Sequence, residues 1–204
     1  MKLHLGCWHR NIPDFINVDL CDMPHIHYKS SIDDLSMFDD ESAELIYSSH
    51  SFEYFDRFEA VNVIKEWRRV LKKGGILRLA VPDFDKLIEV YRLSGDLNKV
   101  LGPLYGRMNV KNANAQNPNH NDSNDSNAKD SIGGGGDLMI YHKTVWNFTL
   151  LSEFLESNGF SDVRRYDWRQ TIHKDYDDHS QAYYPHMDKE NGILISLNVE
   201  ATKI

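Results

Sequence analysis

Residues 1–35 constrain this chain more than any other stretch. An apolar strand, Leu3-His4-Leu5, runs into a tight turn at Gly6-Cys7, and an acid closes a second strand, Ile16-Asn17-Val18-Asp19. A third segment ends in Asp33-Asp34-Leu35. A glycine after the first strand lets backbone pass close to a ligand. Acids at later strand ends offer oxygen acceptors to hydroxyl and amino groups. That combination suits a nucleoside.

Downstream, strand, turn and helix alternate as a doubly wound α/β sheet requires. Apolar residues at Ala60, Val63, Ile64, Trp67, Val70 and Leu71 follow helical spacing, and Gly74-Gly75 is expected to end that helix. Ile76 to Val81, closed by Pro82, reads as an inner parallel strand. Asp83 is placed to cap a helix with the stripe Phe84, Leu87, Ile88 and Tyr91. Thr149 to Asn158 predicts another helix, and Phe160 to Trp168 a strand. Ile193, Ile195, Leu197, Val199 and Ala201 then alternate with more polar residues, the period of an antiparallel strand.

With 204 residues the chain has enough length for one well-buried domain and little for two, so 1–204 is read as a single domain. At 41% hydrophobic it has no apolar run near the roughly 18 residues that cross a bilayer, and no charged-then-apolar leader at Met1. Cys7 and Cys21 form neither a Cys-x-x-Cys pair nor a disulfide framework. These features imply a cytoplasmic protein without a membrane partner. A net charge of −8 argues against a nucleic-acid partner. The basic cluster Arg68, Arg69, Lys72 and Lys73 falls where a helix end favours cations. Eight asparagines between Asn109 and Asn127, followed by Gly133 to Gly136, offer little apolar surface to bury. A mobile surface loop is expected over 107–137, with a lid as the functional alternative.

The segments Ser42 to His50 and Glu66 to Asp83, read with the Gly6 turn and the two acids, resemble the class I S-adenosylmethionine-dependent methyltransferase family. The likeness is to its small stand-alone, type 11-like members, over residues 2–93 and more loosely over 148–203. It implies an α/β fold, a doubly wound Rossmann-like, mostly parallel sheet with a C-terminal antiparallel hairpin, and S-adenosylmethionine as cofactor. It further implies that Gly6, Cys7 and Trp8 pass under the methionine part, Trp8 standing where the family has a second glycine. Asp19 would accept from the ribose, Asp34 and Leu35 would hold the adenine, and Ser49 would stand at the end of the fourth strand. Read singly, Asp19 and Asp34 also suit turns and caps. Gly6 and Asp19 are so close in sequence that little room remains for a helix between the first two strands, and Pro13 shortens it further.

Methyl transfer asks the protein to align an acceptor, exclude water and remove a proton. The ends of strands four and five carry His50, Glu53 and Asp83. His50 is the first candidate for general base, since an imidazole titrates near neutrality, with a packing role as the alternative. Asp83 serves equally as a helix cap. The chain lacks an Asn/Asp-Pro-Pro-aromatic turn, a Pro-Cys nucleophile and a double-glutamate loop, which leaves a small-molecule or sugar-like acceptor. The polar, aromatic connection from Trp168 to Asp188 is placed to cover the cofactor; its histidines lack tight metal-ligand spacing. A nicotinamide enzyme would need Gly-x-Gly-x-x-Gly, absent after Gly6. A non-catalytic binding module, with Trp8 filling the pocket, is the stronger rival. Oligomeric state is left open.

Overall fold

A computed structural model describes residues 1–109 and 139–204. From residue 110 on, the loop expected over 107–137 lies outside the described residues. Five parallel strands form the body of the sheet: β1 (Lys2–Leu5), β2 (Ile16–Asp19), β3 (Tyr28–Lys29), β4 (Ala43–Ser49) and β5 (Leu71–Pro82). Helix α1 (Glu59–Val70) joins β4 to β5, and α2 (Phe84–Ser94) and α3 (Asn98–Tyr105) follow. A two-stranded ribbon, β6 (Met108–Asn109) and β7 (Met139–Ile140), precedes α4 (Phe148–Ser157) and β8 (Phe160–Arg165). Then come the short pair β9 (Tyr183–Tyr184) and β10 (Ile193–Leu194), and finally β11 (Ser196–Lys203).

The order across the main sheet is β3-β2-β1-β4-β5-β11-β8, with β11 antiparallel to both β5 and β8. The C-terminal antiparallel hairpin is therefore present. Its first strand stops at Arg165, because Trp168 is taken into a short 3-10 turn. The alternating stretch from Ile193 is split: β10 pairs with β9, and only residues from Ser196 enter the large sheet.

Alternation decides what each face buries. Leu3, Leu5, Ile46, Leu77, Leu79, Val81, Leu197 and Val199 point to one side and pack under Ala60, Val63, Ile64 and Trp67 of α1 and Leu151 and Leu155 of α4. This is the main core. Gly74-Gly75 does not cap α1, as expected from sequence; the helix ends at Val70 because Leu71 turns extended and pairs with Ala43.

The opposite face carries His4, Asn17, Tyr47, Arg78, Asn198 and Glu200, a polar set that is nonetheless buried or nearly so. No helix forms between β1 and β2, in keeping with their short connection. A strap of residues 166–192 lies there instead. Tyr47 donates to Asp178 at 2.5 Å, Asn198 donates to the Ser180 carbonyl at 2.8 Å, and His173 stacks on Tyr47 at 4.1 Å.

Candidate active site

In an open α/β sheet a ligand crevice forms outside the carboxyl ends of the strands where the strand order reverses. Here that point lies between β1 and β4. A cavity of about 220 Å³ opens there, walled by the turns after β1, β2 and β4, the ribbon β6–β7 and the strap.

The first wall is the turn Gly6-Cys7-Trp8. Gly6 has φ +66°, and a Cβ at this position would lie 2.1 Å from Ser51 Oγ and 2.6 Å from Ser51 Cβ. Only glycine fits. Trp8 itself adopts φ +45°, a left-handed conformation uncommon outside glycine, and His50 does the same at φ +53°. Both residues line the cavity, while Asp14, Glu41, Asp162 and Met187 share this conformation elsewhere. Trp8 is pinned by its own backbone: its N–H donates to Asp19 Oδ2 at 2.7 Å, and its carbonyl accepts from His25 Nε2 at 2.7 Å.

Asp19 ties two turns together, because its Oδ1 also accepts from the Cys21 N–H at 2.9 Å. Each carboxylate oxygen thus accepts one backbone donor and keeps a lone pair for a ligand hydroxyl. Leu20, Ser31 and Ile32 form the adjoining wall. Asp34 and Leu35, expected at the adenine, are not on it. Asp34 is exposed with its carboxylate held below its ordinary range by Ser36, and Leu35 is fully buried in the main core. Ser31 and Ile32 line the cavity there instead.

Ser49 lines the cavity with a buried hydroxyl that has no partner among the described residues, and His4 presents an unpartnered Nδ1 on the floor. Buried polar atoms left unmatched around a cavity are what a polar ligand would satisfy. Cys7 and Cys21 also line it, but burial and the Asp19 carboxylate push both thiols up, Cys21 to about 12. They are inert walls.

His50 reaches the cavity edge, yet its two ring nitrogens face inward. Ser196 Oγ gives its proton to Asn198 Oδ1 at 2.9 Å, so it accepts from His50 Nε2 at 3.0 Å. That fixes the Nε2–H tautomer and leaves the Nδ1 lone pair facing Glu53 Oε1 at 3.4 Å. Burial, then His179 and His142, hold the His50 imidazole well below its ordinary range. Glu53 is fully buried behind the cavity, and burial raises its carboxyl to about 8, so near neutrality it carries a proton. His142 Nε2 lies 3.7 Å from the same oxygen. The cluster is a neutral, ordered support.

Asp83 does not line the cavity. Its Oδ1 accepts from the Asp85 and Lys86 N–H groups at the start of α2, and its Oδ2 pairs with Arg165 at 3.0 Å, away from the cavity. Tyr54, Phe55, Met108 and Ile140 on the far wall carried no sequence signal, whereas Asp178 and His179 of the strap fall in the polar and aromatic connection from Trp168 to Asp188 that was expected over the site. Among the described residues no group of histidine, cysteine and acid ligands could hold a metal, and no helix is long and apolar enough to cross a membrane.

A family model described as a methyltransferase domain matches residues 14–79. No curated protein matches the sequence. Among solved structures, a SAM-dependent methyltransferase of Thermotoga maritima is 14% identical with a TM-score of 0.53, over 100% of this chain and 82% of that one. A SAM-dependent methyltransferase of Methanosarcina mazei is 16% identical with a TM-score of 0.52, over 100% and 92%. A methyltransferase of Haloferax volcanii, solved in complex with its Trm112 methyltransferase activator, is 13% identical with a TM-score of 0.50, over 99% and 81%. At such identities the likeness speaks for the fold. The chain thus has the Rossmann-like fold of these S-adenosylmethionine-dependent methyltransferases, and its residues 14–79, reaching into β5, match the methyltransferase-domain model.

Proposed function

We propose that the protein transfers a methyl group to oxygen on a small metabolite or sugar-like acceptor. The observation that supports this reading is a cavity whose one wall carries Gly6, Trp8 and Asp19 and whose far wall carries Tyr54, Phe55, Met108 and Ile140. On the first half, Gly6 to Trp8 would pass the methionine part, Asp19 would accept from the ribose, Ile32 and Leu20 would sandwich the ring, and Ser49 would satisfy a polar group. The cofactor supplies an electrophilic methyl group when bound. On the second half, Tyr54, Phe55, Met108 and Ile140 exclude water around the acceptor, and His50 forms a rigid wall. The chain is net acidic, and the acceptor half is largely apolar, which supports a small acceptor over a nucleic acid.

The test is a screen of hydroxylated and carboxylated metabolites with labelled S-adenosylmethionine, read as label in the product and as S-adenosylhomocysteine released. Turnover with a small acceptor is expected; turnover only with nucleic acid or protein would overturn the acceptor class. One observation favours a second reading: the Trp8 ring borders the cavity where the family has a glycine. A binding module with an occluded pocket would release no S-adenosylhomocysteine and bind none.

A further inference from the structure

We propose that Trp8 and Arg10 form a recognition pair for a carboxylate, brought into the cavity by the methionine end of the cofactor or by an acidic acceptor; this rests on the methyl-transfer reading above. Both residues line the cavity from the turn after β1, which the Arg10 N–H closes by donating to the Cys7 carbonyl at 2.8 Å. Trp8 Nε1 is buried and has no hydrogen-bond partner among the described residues. An indole N–H can only donate, so what completes it is an acceptor. The Trp8 main chain is held by Asp19 on one side and His25 on the other, which sets the place of the ring before a ligand arrives.

Arg10 supplies the charge. Among the described residues it is the sole lysine or arginine on the cavity wall, and it is half-buried. Arg69, Arg78, Arg164, Arg165 and Arg169 each pair with an acid, whereas no acid among the described residues pairs with Arg10. The two acids of the lining are given to other donors. Asp19 accepts from the Trp8 and Cys21 N–H groups, and Asp178 from the Tyr47 hydroxyl and the Ser180 N–H. In a chain of net charge −8 acids are plentiful, so an arginine left without one at a ligand site points to an anion from outside.

A guanidinium takes a carboxylate through two parallel N–H bonds, and the indole adds a third donor from the same turn. Trp8, standing where the family has a glycine, thus serves the ligand as a donor and does not plug the site.

Calorimetry of the full chain with two ligands tests this: S-adenosylhomocysteine, and its decarboxylated analogue, which keeps the adenosine, the thioether and the amine. The parent is compared with Trp8→Phe and Arg10→Gln, each checked by circular dichroism, with Arg10→Met in place of Arg10→Gln should that fold poorly. In the parent the carboxylate should strengthen binding by roughly 10- to 100-fold, the worth of hydrogen bonds to a charged group. Arg10→Gln should remove most of that preference, and Trp8→Phe should narrow it by about fivefold. A general disturbance of the turn weakens both ligands alike and leaves their ratio unmoved. The acceptor as source is read with 13C-labelled acetate titrated into the chain saturated with S-adenosylhomocysteine. An acetate signal that shifts with the parent and not with Arg10→Gln, beside an unchanged ratio, assigns the pair to an acidic acceptor. A ratio unchanged in both variants with no such acetate response overturns the pair. If S-adenosylhomocysteine does not bind the parent, the methyl-transfer reading falls, and the pair with it.

Discussion

The polar face under the strap makes the fold sensitive to acid in a way that can be worked from two residues. His4 and His173 sandwich Tyr47, with ring centroids 5.1 and 4.1 Å away, and both imidazoles are buried. His4 Nδ1 and both nitrogens of His173 have no hydrogen-bond partner among the described residues. Burial, opposed only in part by Asp178, lowers each from 6.5 to about 4. In the unfolded chain both take up protons near pH 6.5; in the fold they resist until about pH 4. Between those values the unfolded state binds more protons, so stability falls as pH falls, and the loss levels off below pH 4. A displacement of that size costs about 3 kcal/mol for one histidine, and about 5 kcal/mol for a pair that shares Asp178. That is comparable with the whole stability of a small domain. Replacing both as His4→Phe/His173→Phe keeps the stack and removes the titration. Urea unfolding measured from pH 7 to pH 4 should then show the variant gaining on the parent by about 5 kcal/mol. Comparing the two chains cancels the carboxylates common to both. A gap that stays constant within about 1 kcal/mol across this range would refute the reasoning.

Three further outcomes are expected. Gly6→Ala meets both a positive φ and the Ser51 side chain, so thermal unfolding should show a loss of about 2 kcal/mol or more, with binding of S-adenosylhomocysteine lost at any stability that remains. Asp83→Ala should cost about 1–2 kcal/mol in urea unfolding through the α2 cap while ligand affinity holds, separating a cap from a catalytic acid. Glu53 ionises near pH 4.5 when unfolded and near 8 when folded, so stability falls as pH rises through that window. Glu53→Gln should accordingly be more stable than the parent at pH 8, and equal stability there would show that the carboxyl is not held neutral.

The elements governed by local pattern were legible from the residues. The stripe of α1, the inner strand of β5 and the Asp83 cap all follow from spacing that the chain carries within a dozen residues. The miss at Gly74-Gly75 has a tertiary cause, since pairing of Leu71 with Ala43 overrode the expected glycine stop. On the wall after β2, the acids attracted attention while Ile32, a plain apolar residue, is the one that lines the cavity. Periodicity could not reveal the strap. Its polar composition reads as a solvated connection, and its burial depends on Tyr47 meeting Asp178 and on Asn198 meeting Ser180, contacts invisible until the sheet is assembled. His50 was picked out from its place at the end of β4, where it does line the cavity. Its contacts to Ser196 and Glu53, from a distant strand and the following turn, were invisible in the sequence.

If the cavity beside Gly6 and Asp19 holds the nucleoside of S-adenosylmethionine, calorimetric titration of the purified full chain with S-adenosylhomocysteine shows it most directly, with Asp19→Ala measured alongside and its fold checked by circular dichroism. Saturable binding at one site is expected, weakened in the variant by about 1–3 kcal/mol, the range for leaving a buried polar partner unmatched. Absence of binding in the parent chain, or equal affinity in a folded Asp19→Ala, would contradict the account.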